Sequence, residues 1–160
     1  MVNPRFFRNS LIGFFDRAAN KDSSGIGIVI KLKSFHCFKE FMAIGHGSNI
    51  RAELIAFWGA LYLCKMFNLQ VVYIAGDSKV VIDWYDNKVA LNVLLLQDWK
   101  DKVKKIGSFF SFLQVFHIHR DFNSQADNLS KHGLSNITGV LHVQEYDKEE
   151  MISSRSFCLF

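Results

Sequence analysis

The stretch QVVYIAGDSKVVIDW, residues 70–84, decides the fold class. Its first six residues are a compact run rich in β-branched side chains, short enough for one strand. Gly76-Asp77-Ser78 interrupts the run, and Val80, Val81 and Trp84 then follow a short helical pattern. Upstream, Leu54, Ile55, Trp58, Leu61 and Tyr62 recur at helical spacing, with Ser48 or Asn49 as a cap. A strand that follows a helix suggests a crossover into a parallel pair.

Working outward, residues 11–15, 25–32 and 35–44 read as three consecutive strands with short turns, an antiparallel meander. The polar residues 17–24 read as the first turn. Downstream, residues 91–110 read as one longer helix or two, with Lys100, Lys102, Lys104 and Lys105 interspersed. Residues 112–118 read as a fifth strand and residues 125–132 as the last helix. The order predicts an α/β domain with a mixed five-stranded sheet and helices packed on it. After Leu134 the pattern weakens. The expected organisation is a short lead over residues 1–9, one domain over residues 10–135, and a weakly structured tail over residues 136–160.

Composition agrees with one domain and excludes several classes. The chain has 160 residues, 49% hydrophobic and 21% charged, with a single Pro, so collagen-like, Pro-rich and disordered chains are ruled out. No stretch approaches the ~20 consecutive apolar residues of a membrane-spanning helix. Residues 1–10 carry Arg5 and Arg8 without an acid, but the apolar block that follows is short and ends at Asp16. A first strand is therefore expected there rather than a targeting segment. The three cysteines (Cys37, Cys64, Cys158) include no C-x-x-C pair. That argues against a disulfide framework or zinc site and makes a reducing compartment the default expectation; the sequence leaves the compartment open, with nucleus or cytoplasm favoured.

Four acids stand out by position. Asp16 ends the first strand, Glu53 falls in the first turn of the first helix, Asp77 follows the fourth strand, and Asp127 opens the last helix. If strands one and four are neighbours, Asp16 and Asp77 emerge side by side, and the two helical acids lean over the same spot. Four carboxylates in one pocket repel one another and lose hydration, which a hard divalent ion would offset. Oxygen ligands without a Cys or His cluster suit Mg²⁺, with Mn²⁺ as a substitute. Two such ions would activate a water and stabilise the leaving oxygen in phosphodiester hydrolysis. Singly, each acid also has a structural explanation: a turn for Asp16, a cap for Asp77, and helix-dipole complementation for Glu53 and Asp127.

The motifs tip that balance. Residues 15–19 (FDRAA) with 25–30 (GIGIVI), then 52–56 (AELIA), 76–82 (GDSKVVI) and 117–130 (HIHRDFNSQADNLS), resemble a type 1 ribonuclease H domain in the same order. The resemblance is closest to the ribonuclease H-like domains of plant non-LTR retroelement polyproteins and their free-standing relatives. It covers about residues 10–135. It implies that Asp16, Glu53, Asp77 and Asp127 are the catalytic metal ligands, with two Mg²⁺ or Mn²⁺ ions, and that the RNA strand of an RNA–DNA hybrid is cleaved. It further implies that Ser48, Asn49 and Arg51 approach the nucleic-acid backbone and that Asn123 serves the same surface; capping or solvation is an equal alternative for these. The net charge of +4 suits a phosphate-bearing partner, and a monomer is expected. A domesticated retroelement-derived domain that binds without cutting is the alternative. Arg17 departs from the pattern, standing where the family has a small Gly, and the loop of residues 117–123 is short. His117, His119 and Arg120 in that loop read as structural.

Overall fold

The protein is described from a computed structural model, which covers residues 2–3, 11–33 and 35–160. Most of the expected lead, with the targeting question at Arg5 and Arg8, lies outside the described residues. Among the described residues, seven strands and four α-helices follow in the order β1 (Ile12–Ala19), β2 (Ser24–Lys33), β3 (His36–Gly45), α1 (Asn49–Met66), β4 (Val71–Gly76), α2 (Lys79–Tyr85), α3 (Gln97–Gly107), β5 (Phe112–His117), α4 (Ser124–Gly133), β6 (Val140–Asp147) and β7 (Glu150–Cys158). They form one mixed sheet of order β5-β4-β1-β2-β3-β6-β7. β4 runs parallel to β1 and β5, while the β1-β2-β3 meander is antiparallel.

Seven strands replace the five expected from sequence. The two additions arise from residues 140–158, read as a weakly structured tail. β6 pairs antiparallel to β3, and β7 pairs antiparallel to β6. The connecting turn is Lys148-Glu149, both at positive φ (51° and 67°). That is the backbone a two-residue primed turn requires, here without the Gly or Asn that usually marks it.

Two other boundaries shift. β1 continues past Asp16 because pairing with β2 persists to Ala19↔Ser24. The turn is confined to Asn20–Ser23, where Asn20 Oδ1 accepts from the Asp22 and Ser23 amides (2.9 and 2.8 Å). The helical pattern of residues 91–110 resolves into a loop, a single 3₁₀ turn at Leu94–Leu96 and α3.

Strand alternation divides the core. On one face Phe15, Ile26, Ile28 and Ile30 pack with Leu54, Ile55, Phe57 and Leu61 of α1. On the other, Ile12, Phe14 and Val29 pack with Ala126 of α4. Gly27 permits this second layer: a Cβ there would lie 2.2 Å from Ala126 O and 2.3 Å from Ser130 N, so only glycine lets α4 lie directly on β2. Burying apolar side chains on both faces supplies the main driving force, at roughly 25 cal/mol per Å². Buried polar groups oppose it, Glu40 most of all. Glu40 of β3, opposite Ile28, is fully buried with no hydrogen bond to either carboxylate oxygen among the described residues. Burial raises its pKa well above the carboxylate range. No helix among the described residues is long and apolar enough to cross a membrane.

Candidate metal centre and cleft

β1 pairs with β4 through Phe15↔Gly76, so the next residue of each chain, Asp16 and Asp77, emerges beside the other. The third acid comes from α1. Ser48 caps this helix, its Oγ accepting from the Arg51 amide (3.1 Å). Glu53 is the fifth helical residue, in the second turn rather than the first as expected. One carboxylate oxygen from each of Asp16, Glu53 and Asp77 lies within 4.8 Å of the others. The three sit in a cleft of about 650 Å³ whose walls include Asn49, Lys79, His119 and Arg120.

The cluster is electrostatically costly. Burial, then the Asp77 charge, raises Asp16 from 3.8 to about 7, against the opposing hydrogen bond from the Arg17 amide (2.8 Å). Burial chiefly, then the Asp16 and Asp77 charges, pushes Glu53 well above its ordinary value. Glu53 Oε2 is buried without a hydrogen-bond partner among the described residues, although such groups are normally satisfied. Convergent oxygen donors with an orphaned buried lone pair fit a hard divalent cation.

The remaining expected residues occupy different positions. Asp127 stands in the first turn of α4 and lines the cleft rim, outside the 4.8 Å group. It pairs with Lys131 at 2.9 Å, and its charge contributes to the rise of Asp16. Asn49 lines the cleft. Ser48 is engaged in capping, and Arg51 Nη1 donates to Ile44 O at 3.2 Å, bracing the α1 entry. Asn123 is 1% exposed, and its Nδ2 donates to Phe15 O at 2.9 Å. It therefore ties the start of α4 to β1 beside Asp16, rather than facing outward to a nucleic acid.

The sequence reading missed Ser78 and Lys79 as cleft residues, and it missed the partner of Arg17. Lys79 forms an i,i+4 ion pair with Asp83. Arg17 Nε lies 3.4 Å from Glu53 Oε1. The bulky cation at a position expected to be small was the available signal. His117 Nε2 contacts Asp77 O at 3.2 Å, linking the end of β5 to the turn that carries Asp77.

A family model described as reverse transcriptase-like matches residues 14–133. This chain belongs to the reverse transcriptase-like family. Its domain has the ribonuclease H-like fold, as three solved structures show. RNase H1 from the halophilic archaeon Halobacterium salinarum is 22% identical with a TM-score of 0.74, covering 79% of this chain and 98% of that one. LC11-RNase H1, isolated from compost and solved with an RNA/DNA hybrid, is 24% identical with a TM-score of 0.70, covering 78% and 96%. The foamy viral protease-reverse transcriptase, also solved with an RNA/DNA hybrid, is 20% identical with a TM-score of 0.60, covering 86% of this chain and 21% of that one. No curated protein matches the chain.

Proposed function

We propose that this ribonuclease H-like domain is a divalent-metal-dependent endonuclease that hydrolyses the RNA strand of RNA–DNA hybrids. The observation that carries the reading is the convergence of Asp16, Glu53 and Asp77 within 4.8 Å, two of them buried. These three would hold the metal, and Asp127 would complete the set from the rim. A bound pair of Mg²⁺ or Mn²⁺ ions would supply Lewis acidity at the scissile phosphate and lower the pKa of a bound water.

The chain's own residues do the rest. Asp16 and Asp77 fix the centre because their spacing is set by backbone pairing of β1 with β4 rather than by flexible loops. Asn123, by clasping Phe15 O, holds α4 and hence Asp127 against the same strand. Arg120, Lys79 and His119 give the cleft wall donors for phosphate oxygens. No nucleophilic side chain is required, in keeping with the absence of a Ser/His/Asp or Cys/His signature. Two structural neighbours solved with RNA/DNA hybrids support the substrate class. The motif order favours a retroelement-derived origin close to the plant non-LTR branch.

A second reading, a retroelement-derived domain that binds hybrid or duplex with weak or no cleavage, is favoured by the Arg17–Glu53 pair. Purified protein with Mg²⁺ or Mn²⁺ and an end-labelled hybrid separates the two. Internal cleavage of the RNA strand supports the nuclease; salt-sensitive binding without cleavage supports the alternative.

A further inference from the structure

We infer that Arg17 is a resident counter-cation of the acid cluster, which engages Glu53 and sets how tightly a divalent ion binds there. The inference rests on reading the cluster as a metal site and concerns what regulates it.

Alternation along β1 separates Asp16 from Arg17. Asp16 lies opposite Gly27, whose open side faces α4. Arg17 lies opposite Ile26, which packs toward Gly59 of α1. Arg17 therefore shares a face with α1 and reaches its acid, with Nε at 3.4 Å from Glu53 Oε1. The contact is an ion pair without hydrogen-bond alignment: Arg17 Nε and Glu53 Oε2 are both buried and lack hydrogen-bond partners among the described residues. Well-aligned Arg–carboxylate pairs are instead bidentate and resist exchange.

The other end of the side chain is accessible. Arg17 is 34% exposed and lines the cleft, so the guanidinium can leave Glu53 without unpacking the core. Arginine keeps its charge at every working pH, so Arg17 stays a cation beside the cluster. A fixed positive charge a few ångströms from a dication weakens its binding on the order of tenfold, even at water-like screening. Glycine at this position would remove the cation paired with Glu53.

The test is calorimetric titration of MnCl₂ into the full chain, without nucleic acid, for the native protein, Arg17→Met, Arg17→Gly and Arg17→Lys. Arg17→Met retains the aliphatic stem, so it carries the test if the glycine variant folds poorly. The expected result is Mn²⁺ affinity about tenfold tighter in the methionine and glycine variants, with the lysine variant near the native value. Equal affinity across the folded variants, or weaker binding in Arg17→Met, overturns the role of Arg17 while leaving the metal site intact. If no protein binds Mn²⁺, the native chain included, the metal-site reading itself falls and the inference with it.

Discussion

Neutralising Asp16 should stabilise the metal-free protein, by an amount that depends on pH. Its carboxyl is raised from 3.8 to about 7, first by burial and then by the Asp77 charge. The folded protein thus holds this proton more tightly than the unfolded chain. Folding stability from this group is greatest below about pH 4, declines as pH rises toward 7, and carries the full penalty above that. A rise of about three pH units corresponds to a ceiling of ~4 kcal/mol. Because the neighbouring acids share the proton balance, Asp16→Asn should gain roughly 2–4 kcal/mol at pH 8 in EDTA. The amide can still accept the Arg17 N–H that the carboxylate accepts at 2.8 Å. For a chain of this size the gain amounts to a melting temperature about 4–16 °C higher. Thermal denaturation at pH 8 and pH 4 reads it, with the two proteins converging at the lower pH. Adding Mg²⁺ or Mn²⁺ at pH 8 should raise the native melting temperature more than that of the variant. A variant no more stable than the native protein at pH 8, or an equal gain at both pH values, would refute the argument that crowded buried charge governs this corner of the fold.

Three further outcomes follow from other residues. Asp77→Asn should lower cleavage of a labelled hybrid roughly a hundredfold or more while the circular dichroism spectrum is retained; unchanged turnover would remove Asp77 from the site. Glu40→Met should stabilise the protein by about 1–3 kcal/mol at pH 8, since it removes two buried oxygens without partners. Burial raises the Glu40 pKa, so its penalty grows as pH climbs above 4.5, and a gain that persisted undiminished at pH 4 would contradict this cause. Lys148→Asn with Glu149→Gly should add about 1 kcal/mol by relieving two left-handed residues, measured by urea unfolding.

The order of elements was legible because burial leaves a period in the sequence. β1, β2, β4 and α1 are apolar on the faces they bury, and the period changes where the element changes. The β6–β7 hairpin left no such mark. β7 is exposed along most of its length and carries Ser153, Ser154, Arg155 and Ser156, so no alternation shows, and its turn is built from Lys148 and Glu149 instead of Asn-Gly. Leu94 and Leu95 misled in the opposite direction: apolar in sequence, they are each 89% exposed in a 3₁₀ turn.

At the site, the acid types could be read from their motifs, but their meeting depends on the Phe15↔Gly76 register, which only pairing reveals. The engagement of Arg17 with Glu53 and the burial of Asn123 against Phe15 O depend on side chains crossing between elements 36 and 108 residues apart. Local patterning carries no information about such distances.

The extra hairpin also relocates the sheet's open border. With β6 and β7 added, the outermost strand on that side is β7, five positions along the sheet from β4, which leads to Asp77. At about 4.8 Å per strand, roughly 19 Å separates the outer edge of β7 from β1, which carries Asp16, and roughly 24 Å separates it from β4. Any chain that docks there as an eighth strand would lengthen the sheet without roofing over the acids. A fusion or tether grafted onto this margin would leave the cleft accessible, which makes β7 a practical handle for immobilising the domain.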